Sequence, residues 1–135
     1  MGFDEDVIEQ FRANGGQVRG FGRSLVLLHH VGARSGAERV APAMGLRDGQ
    51  DTWLVAASKA GAPEHPTWFH NLRANPDTRI ETPDAGEVPV RARVLAGVER
   101  DAAWARFLAT SPAFAGYEAR TARTIPVVAL ERRPS

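Results

Sequence analysis

Apolar and polar positions along the chain change period several times, and each change marks an element. Between Asp4 and Ala13, Val7, Ile8 and Phe11 fall at i, i+1 and i+4 and share one face, which predicts a short amphipathic helix. Asn14-Gly15-Gly16 supplies residues that end a helix, and the glycine-spaced stretch to Arg23 reads as a linker. Ser24 to Val31 is β-rich and largely apolar, the pattern of a buried strand. A turn at Gly32-Ala33-Arg34-Ser35-Gly36 precedes a second strand from Glu38 to Leu46. Pro42 interrupts that strand and has no N–H for a ladder, so an edge or a bulge is expected there. Asp48-Gly49 is a hairpin signal, and Thr52 to Ser58 forms the partner strand.

Lys59 to His65 reads as a loop. Pro66 suits the first helical position, and Thr67 to Ala74 forms a short helix ended by Asn75-Pro76. Thr78 to Thr82 and Glu87 to Leu95 are strands around an Asp84-Ala85-Gly86 turn. Glu99 to Ala109 is helical, with Trp104, Phe107 and Leu108 at i, i+3 and i+4. Pro112 starts another short helix carrying Phe114 and Tyr117, and Thr124 to Leu130 is a last strand. Two hairpins joined by a helix do not suit a parallel βαβ sheet. The expectation is a mainly β, antiparallel barrel with inserted helices, one domain over residues 1–135 in which 1–23 are an N-terminal helix and linker.

Composition narrows the function classes. Apolar residues make up 43% of 135, enough for a packed core rather than a disordered chain. A net charge of +1 argues against a nucleic-acid partner. The absence of cysteine removes disulfides, thiolate nucleophiles and Cys-based metal sites. No run of about 18 apolar residues occurs, and Met1 to Gln10 is acidic where a signal peptide is basic and then apolar. A soluble, cytoplasmic protein is expected. Lys59 is the one lysine among many arginines.

Three segments could carry chemistry. In Gly32 to Gly36, two glycines allow backbone N–H groups to converge on an anion, Ser35 adds a hydroxyl, and Arg34 and Arg39 add planar forks for phosphate or carboxylate. An ordinary Gly-bounded turn with surface arginines is the simpler reading of that segment alone. In Ala56-Ala57-Ser58-Lys59-Ala60-Gly61-Ala62, small residues at a strand end leave room for a flat ring or a phosphate beside Ser58 and Lys59, or simply begin a flexible loop. In Pro66 to Leu72, Trp68 and Phe69 either wall a flat ligand or belong to the core. His29, His30, His65 and His70 lack metal-ligand spacing, so no metal site is expected.

Together these segments resemble the deazaflavin (coenzyme F420)-dependent nitroreductases, also called F420H2-dependent quinone reductases. The resemblance runs from Leu27 to Leu130. It is carried by Gly32-Ala33-Arg34-Ser35-Gly36 with Arg39 and Pro42, by the block from Ala56 through Pro66-Thr67-Trp68-Phe69-His70-Asn71-Leu72 to Asn75-Pro76, and by Arg123-Thr124-Ile125-Pro126-Val127.

The resemblance implies a split β-barrel of the FMN-binding type that holds F420 and transfers hydride to a quinone, enone or nitroaromatic. It places Arg34, Ser35 and Arg39 at the phosphate or anionic tail, Ala57, Ser58, Lys59 and Gly61 along the ring and phosphodiester, and Pro66 and Trp68 at one wall. The Ser58 hydroxyl or a backbone N–H would polarise the acceptor, and Tyr117 would donate the proton that follows the hydride. Phe114 stands where family members often carry a tyrosine, and Met44 replaces a common aromatic, so the acceptor stays unassigned. FMN in place of F420 is one alternative, disfavoured by the arginines that suit a glutamate tail. A non-catalytic carrier of cofactor or lipid is another. A monomer or loose homodimer is expected, with a weak membrane-surface contact through Val7, Ile8 and Phe11 left open.

Overall fold

The computed structural model describes residues 3–134; of the domain expected over 1–135, residues 1, 2 and 135 lie outside the described residues. Six strands, β1 (Leu25–Val31), β2 (Glu38–Arg47), β3 (Thr52–Ala56), β4 (Asp77–Thr82), β5 (Gly86–Val94) and β6 (Val127–Arg132), close a barrel in the order β1-β2-β3-β6-β5-β4. Every pairing is antiparallel. The helices α1 (Phe3–Ala13), α2 (Thr67–Ala74), α3 (Gly97–Thr110) and α4 (Ala113–Arg120) are inserted between strands or precede them. The mainly β antiparallel barrel expected from the hairpin pattern is the fold observed.

The period-two alternation of strands divides the apolar residues between two sides of the barrel wall. Val26, Leu28, Trp53, Val55, Val88, Val90, Val128 and Leu130 meet in one cluster. The alternate residues Leu54, Val127 and Ala129 pack instead against Trp104 and Phe107 of α3 and Phe114 of α4. Leu25 and Leu27 pack against Val7 and Phe11 of α1. Strands buried on both faces read as continuous apolar runs, which is why β1, β3 and β6 show no alternation in sequence. Each fully buried Leu or Phe side chain contributes about 1.5–3 kcal/mol relative to exposure.

Pro42 lies within β2 opposite Leu27 of β1, while β2 pairs with β3 only through Gly45, Leu46 and Arg47. Residues 38–44 therefore form a free edge on the side away from β1, where proline's missing N–H leaves no gap in a ladder. Two expectations need correction. The 14–23 stretch is not a linker: Val18 is 2% exposed in the α1 cluster, bridges Gly22, and Arg23 donates to the Gly15 and Pro83 carbonyls. Pro66 caps α2 from outside, with extended ψ, instead of occupying its first turn. Val7 and Phe11, the stripe considered for a membrane surface, are buried against β1. Among the described residues no helix is long and apolar enough to cross a membrane.

Candidate functional site

The free edge of β2 forms one wall of a half-open cleft of about 910 Å³, a volume within the range of small-molecule and cofactor sites. Arg39, Val40, Ala41, Pro42, Ala43 and Met44 line that wall. The opposite side comes from Ser58, Lys59 and Ala60, from Pro66, Thr67 and Trp68 at the start of α2, and from Ala113, Phe114 and Tyr117 of α4. Asp4, Val7 and Phe21 close the rim near α1. The walls are mainly apolar or small, and Arg39 and Lys59 contribute positive charge against the single carboxylate of Asp4.

The Ser58–Gly61 corner is held in an unusual backbone. Lys59, Ala60 and Gly61 have φ of 44°, 52° and 82°, three successive residues in the left-handed region. Such conformations cost non-glycine residues about 1–3 kcal/mol each and persist only where the surroundings over-determine them. Here the Gly61 and Ala62 N–H groups donate back to the Ser58 and Lys59 carbonyls. The Arg123 guanidinium donates to the Ala57, Ser58 and Ala62 carbonyls at 2.9–3.1 Å and to His65 Nδ1 at 2.8 Å. One side chain thereby fixes the whole corner. The His65 pKa lies below its ordinary value through burial and the charge of Arg123. Lys59 Nζ lies 2.7 Å from Glu64, whose carboxyl is held below its usual range by that hydrogen bond.

Of the residues singled out in the sequence, Arg39, Ser58, Lys59, Pro66, Trp68 and Tyr117 line this one cleft. Arg34, Ser35, Ala57 and Gly61 do not. Arg34 and Ser35 are exposed on the β1–β2 turn. Four N–H groups of that turn already have partners: Gly32 donates to the Ala37 carbonyl, Gly36 to the Gly32 carbonyl, Ala33 to Asn71 Oδ1 and Ala37 to Ser35 Oγ. Ala57 is fully buried, its N–H on the Pro126 carbonyl. Gly61 packs against α4, where a Cβ would lie 2.8 Å from the Tyr117 carbonyl oxygen. Trp68 combines both readings considered for it, being 9% exposed, part of the core cluster and part of the cleft wall, whereas Phe69 belongs to the core cluster and does not line this cleft. Tyr117 is half-buried and edge-on to Phe114 at 5.7 Å. Met44 and Phe114, the positions of the two departures, both line the cleft.

Three residues to which the sequence reading gave no role shape the site. Arg123 clamps the Ser58 corner. His30 lines the cleft, and Asn71 stands between it and the β1–β2 turn. A histidine one residue before a strand ends, in register with an arginine on the next strand, was the available signal for His30; the Asn71 contact spans 41 residues and has no local signature. Among the described residues no group of three or more His, Asp or Glu could hold a metal ion.

The family described as F420H(2)-dependent quinone reductase matches residues 5–132. An F420H(2)-dependent quinone reductase of Mycobacterium tuberculosis is 38% identical over 118 residues, which cover 80% of this chain and 73% of that protein. A solved F420-H2 dependent reductase superposes with a TM-score of 0.73 at 36% identity, covering 81% of this chain and 95% of the other. A second solved structure, described as a domain-swapped dimer, gives a TM-score of 0.75 at 32% identity and covers 94% and 96% of the two chains.

Proposed function

The chain belongs to the F420H(2)-dependent quinone reductase family, and from that premise we propose that its cleft binds coenzyme F420 and that the protein is an F420H2-dependent oxidoreductase acting on quinone-type acceptors. The observation that carries this reading is the convergence of Arg39, Ser58, Lys59, Trp68 and Tyr117, from four separate segments, on one cleft. The residues present fit such a group. The cleft is large enough for a tricyclic ring, small and apolar side chains make up much of its wall, and Arg39 and Lys59 supply charge for an anionic tail.

When bound, the reduced deazaflavin supplies a hydride. The chain's own residues bind, orient and manage the proton. Pro66 and Trp68 would wall the ring, and Lys59, paired with Glu64 in this structure, would hold an anionic oxygen of the ligand. The over-determined Ser58 corner presents the Ser58 hydroxyl without the entropy loss of ordering a loose loop. A quinone that has accepted a hydride needs one further proton, and the Tyr117 hydroxyl at the cleft wall donates it to the quinone oxygen. Phe114 and Met44 line the cleft without a hydroxyl, and quinones, with enones and nitroaromatics as the wider class, are the acceptors. The protein works in the cytoplasm as a monomer or a loose homodimer, pairing being supported by the domain-swapped relative.

The test is oxidation of reduced F420 in the presence of a panel of quinones, followed by deazaflavin absorbance. Turnover with at least one quinone, slowed roughly 10²–10⁴-fold by Tyr117→Phe with cofactor binding retained, is the expected result. A protein that binds F420 and passes hydride to no member of the panel would be a carrier. An absorbance spectrum showing FMN as the bound ring would replace the cofactor.

A further inference from the structure

His30 is 4% exposed, yet it lines the cleft. Its partner across the β1–β2 ladder is Arg39, so the two side chains leave the same face of the sheet. Behind it, Asn71 Oδ1 accepts the Ala33 N–H at 3.0 Å, and Asn71 Nδ2 meets His30 Nδ1 at 2.9 Å. These two contacts determine where the ring proton sits. A backbone N–H can only donate, so the amide oxygen of Asn71 must face Ala33. The amide nitrogen then faces His30, and it too can only donate. Nδ1 therefore accepts, and the proton is on Nε2. Burial, followed by the charges of Arg39 and His29, lowers the pKa of His30 to about 4, so the ring is neutral at physiological pH. Trp104 Nε1 is the fully buried side-chain polar atom without a partner among the described residues. His30 Nε2 has no hydrogen-bond partner among the described residues, and the residue lines the cleft.

We infer that His30, held in its Nε2–H form by Asn71, donates a hydrogen bond to an anionic phosphate or carboxylate oxygen of the cofactor's side chain, beside Arg39. The inference rests on the cofactor reading above and adds a binding residue to it. A neutral donor contributes a directional bond without placing a third positive charge next to Arg39 and Lys59. In this form the ring shows the cleft a donor and no acceptor, which matches an oxygen that can only accept. The backbone of the β1–β2 turn thus reaches the ligand indirectly: the Ala33 N–H orients Asn71, Asn71 orients the His30 proton, and the proton faces the ligand.

Three ligands separate the possible sources of the oxygen: complete F420, its phosphorylated form without glutamates, and the ring with its ribityl chain alone. Binding is read by deazaflavin fluorescence and needs no turnover. His30→Leu should weaken complete F420 by roughly ten- to a hundredfold and leave the stripped ring nearly unchanged. His30→Gln, which can set an amide N–H in the same direction, should recover most of the loss. If the oxygen is the phosphate's, the glutamate-free form loses affinity equally; if it is a carboxylate's, only complete F420 does. Asn71→Asp still accepts the Ala33 N–H but requires a proton on Nδ1, so the neutral ring would turn a lone pair to the cleft. Affinity of that variant should fall as pH rises through the ring's pKa, whereas the unaltered ring, already a neutral Nε2–H donor above about pH 4, produces no such fall over the neutral range. Nitrogen-15 NMR of the protein alone should show Nδ1 bare and Nε2 protonated, a measurement that needs no variant to fold. Equal loss of all three ligands in His30→Leu, unchanged F420 affinity, or a proton on Nδ1 would each overturn the inference. If the unaltered protein binds none of the ligands, the cofactor reading itself falls; if it binds complete F420 and His30→Leu binds it as well, that reading stands and only the role of His30 is lost.

Discussion

Two corners, Gly32–Gly36 and Ser58–Gly61, both read in the sequence as candidate phosphate sites, and the fold uses them differently. The first is a relaxed turn in which Gly36 alone has a positive φ, at 70°, and its N–H groups are largely occupied by its own carbonyls, Ser35 and Asn71. It stands outside the cleft. The second carries three successive left-handed residues, two of them with a Cβ, and places Ser58 and Lys59 on the cleft. Each corner is anchored by a distant side chain that also bonds the Nδ1 of a histidine: Asn71 with His30 for the first, Arg123 with His65 for the second. A strained corner needs an anchor that is always charged and makes several bonds, whereas a relaxed turn can be served by one neutral amide.

Acid should break the comparison most strongly. The folded pKa of His30, about 4, lies below its ordinary 6.5, so as pH falls the unfolded chain takes up the proton first. Stability present above about pH 6.5 is lost progressively down to about pH 4, by up to about 3 kcal/mol for this group. His65 shifts in the same direction and is less buried, so its share is smaller. Denaturant melts across this range should show the loss, and His30→Gln should flatten most of it. A curve that stays steep in the variant would place the acid sensitivity elsewhere.

Glycine substitution should sharpen the contrast. A Cβ at Gly61 would sit 2.8 Å from the Tyr117 carbonyl oxygen and 3.0 Å from Arg120 Cβ, with φ at +82°. Gly61→Ala should cost about 2–3 kcal/mol, because backbone strain and overpacking add. At Gly36 nothing lies within 4 Å of the added atom, so Gly36→Ala should cost only about 1 kcal/mol, from its φ alone. Equal melting shifts would show that the α4 contact does not hold the second corner.

Charge removal gives the smallest effect. Lys59 is 45% exposed and lines the cleft, so Lys59→Ala should weaken F420 about tenfold, less at high salt. Arg34 stands on the exposed turn outside the cleft, and Arg34→Ala should change affinity by no more than about twofold. A loss at Arg34 equal to that at Lys59, measured by fluorescence titration, would bring the first turn back into the site.

Much of this architecture is written locally in the chain. Helix α2 runs from Thr67 to Ala74, where Pro66 and Asn75-Pro76 bound it, and the hairpins fall at Asp48-Gly49 and Asp84-Gly86. Those features depend on propensities and turn chemistry acting over a few residues. The long block around Ser58, Lys59 and Trp68 likewise carries the family in its order of residues. The tertiary structure decided which of the marked residues meet. Closing the barrel brings the free edge of β2 opposite the Ser58 corner, and it sets Asn71 behind His30 and Arg123 under the Ala57–His65 segment across separations of 41 and more than 50 residues. Hydrogen bonds across such distances leave no periodic trace in the sequence. Gly61 and Arg34 could be separated from the cleft, and His30 and Arg123 joined to the site, only once the packing of α2 and α4 against the barrel was fixed.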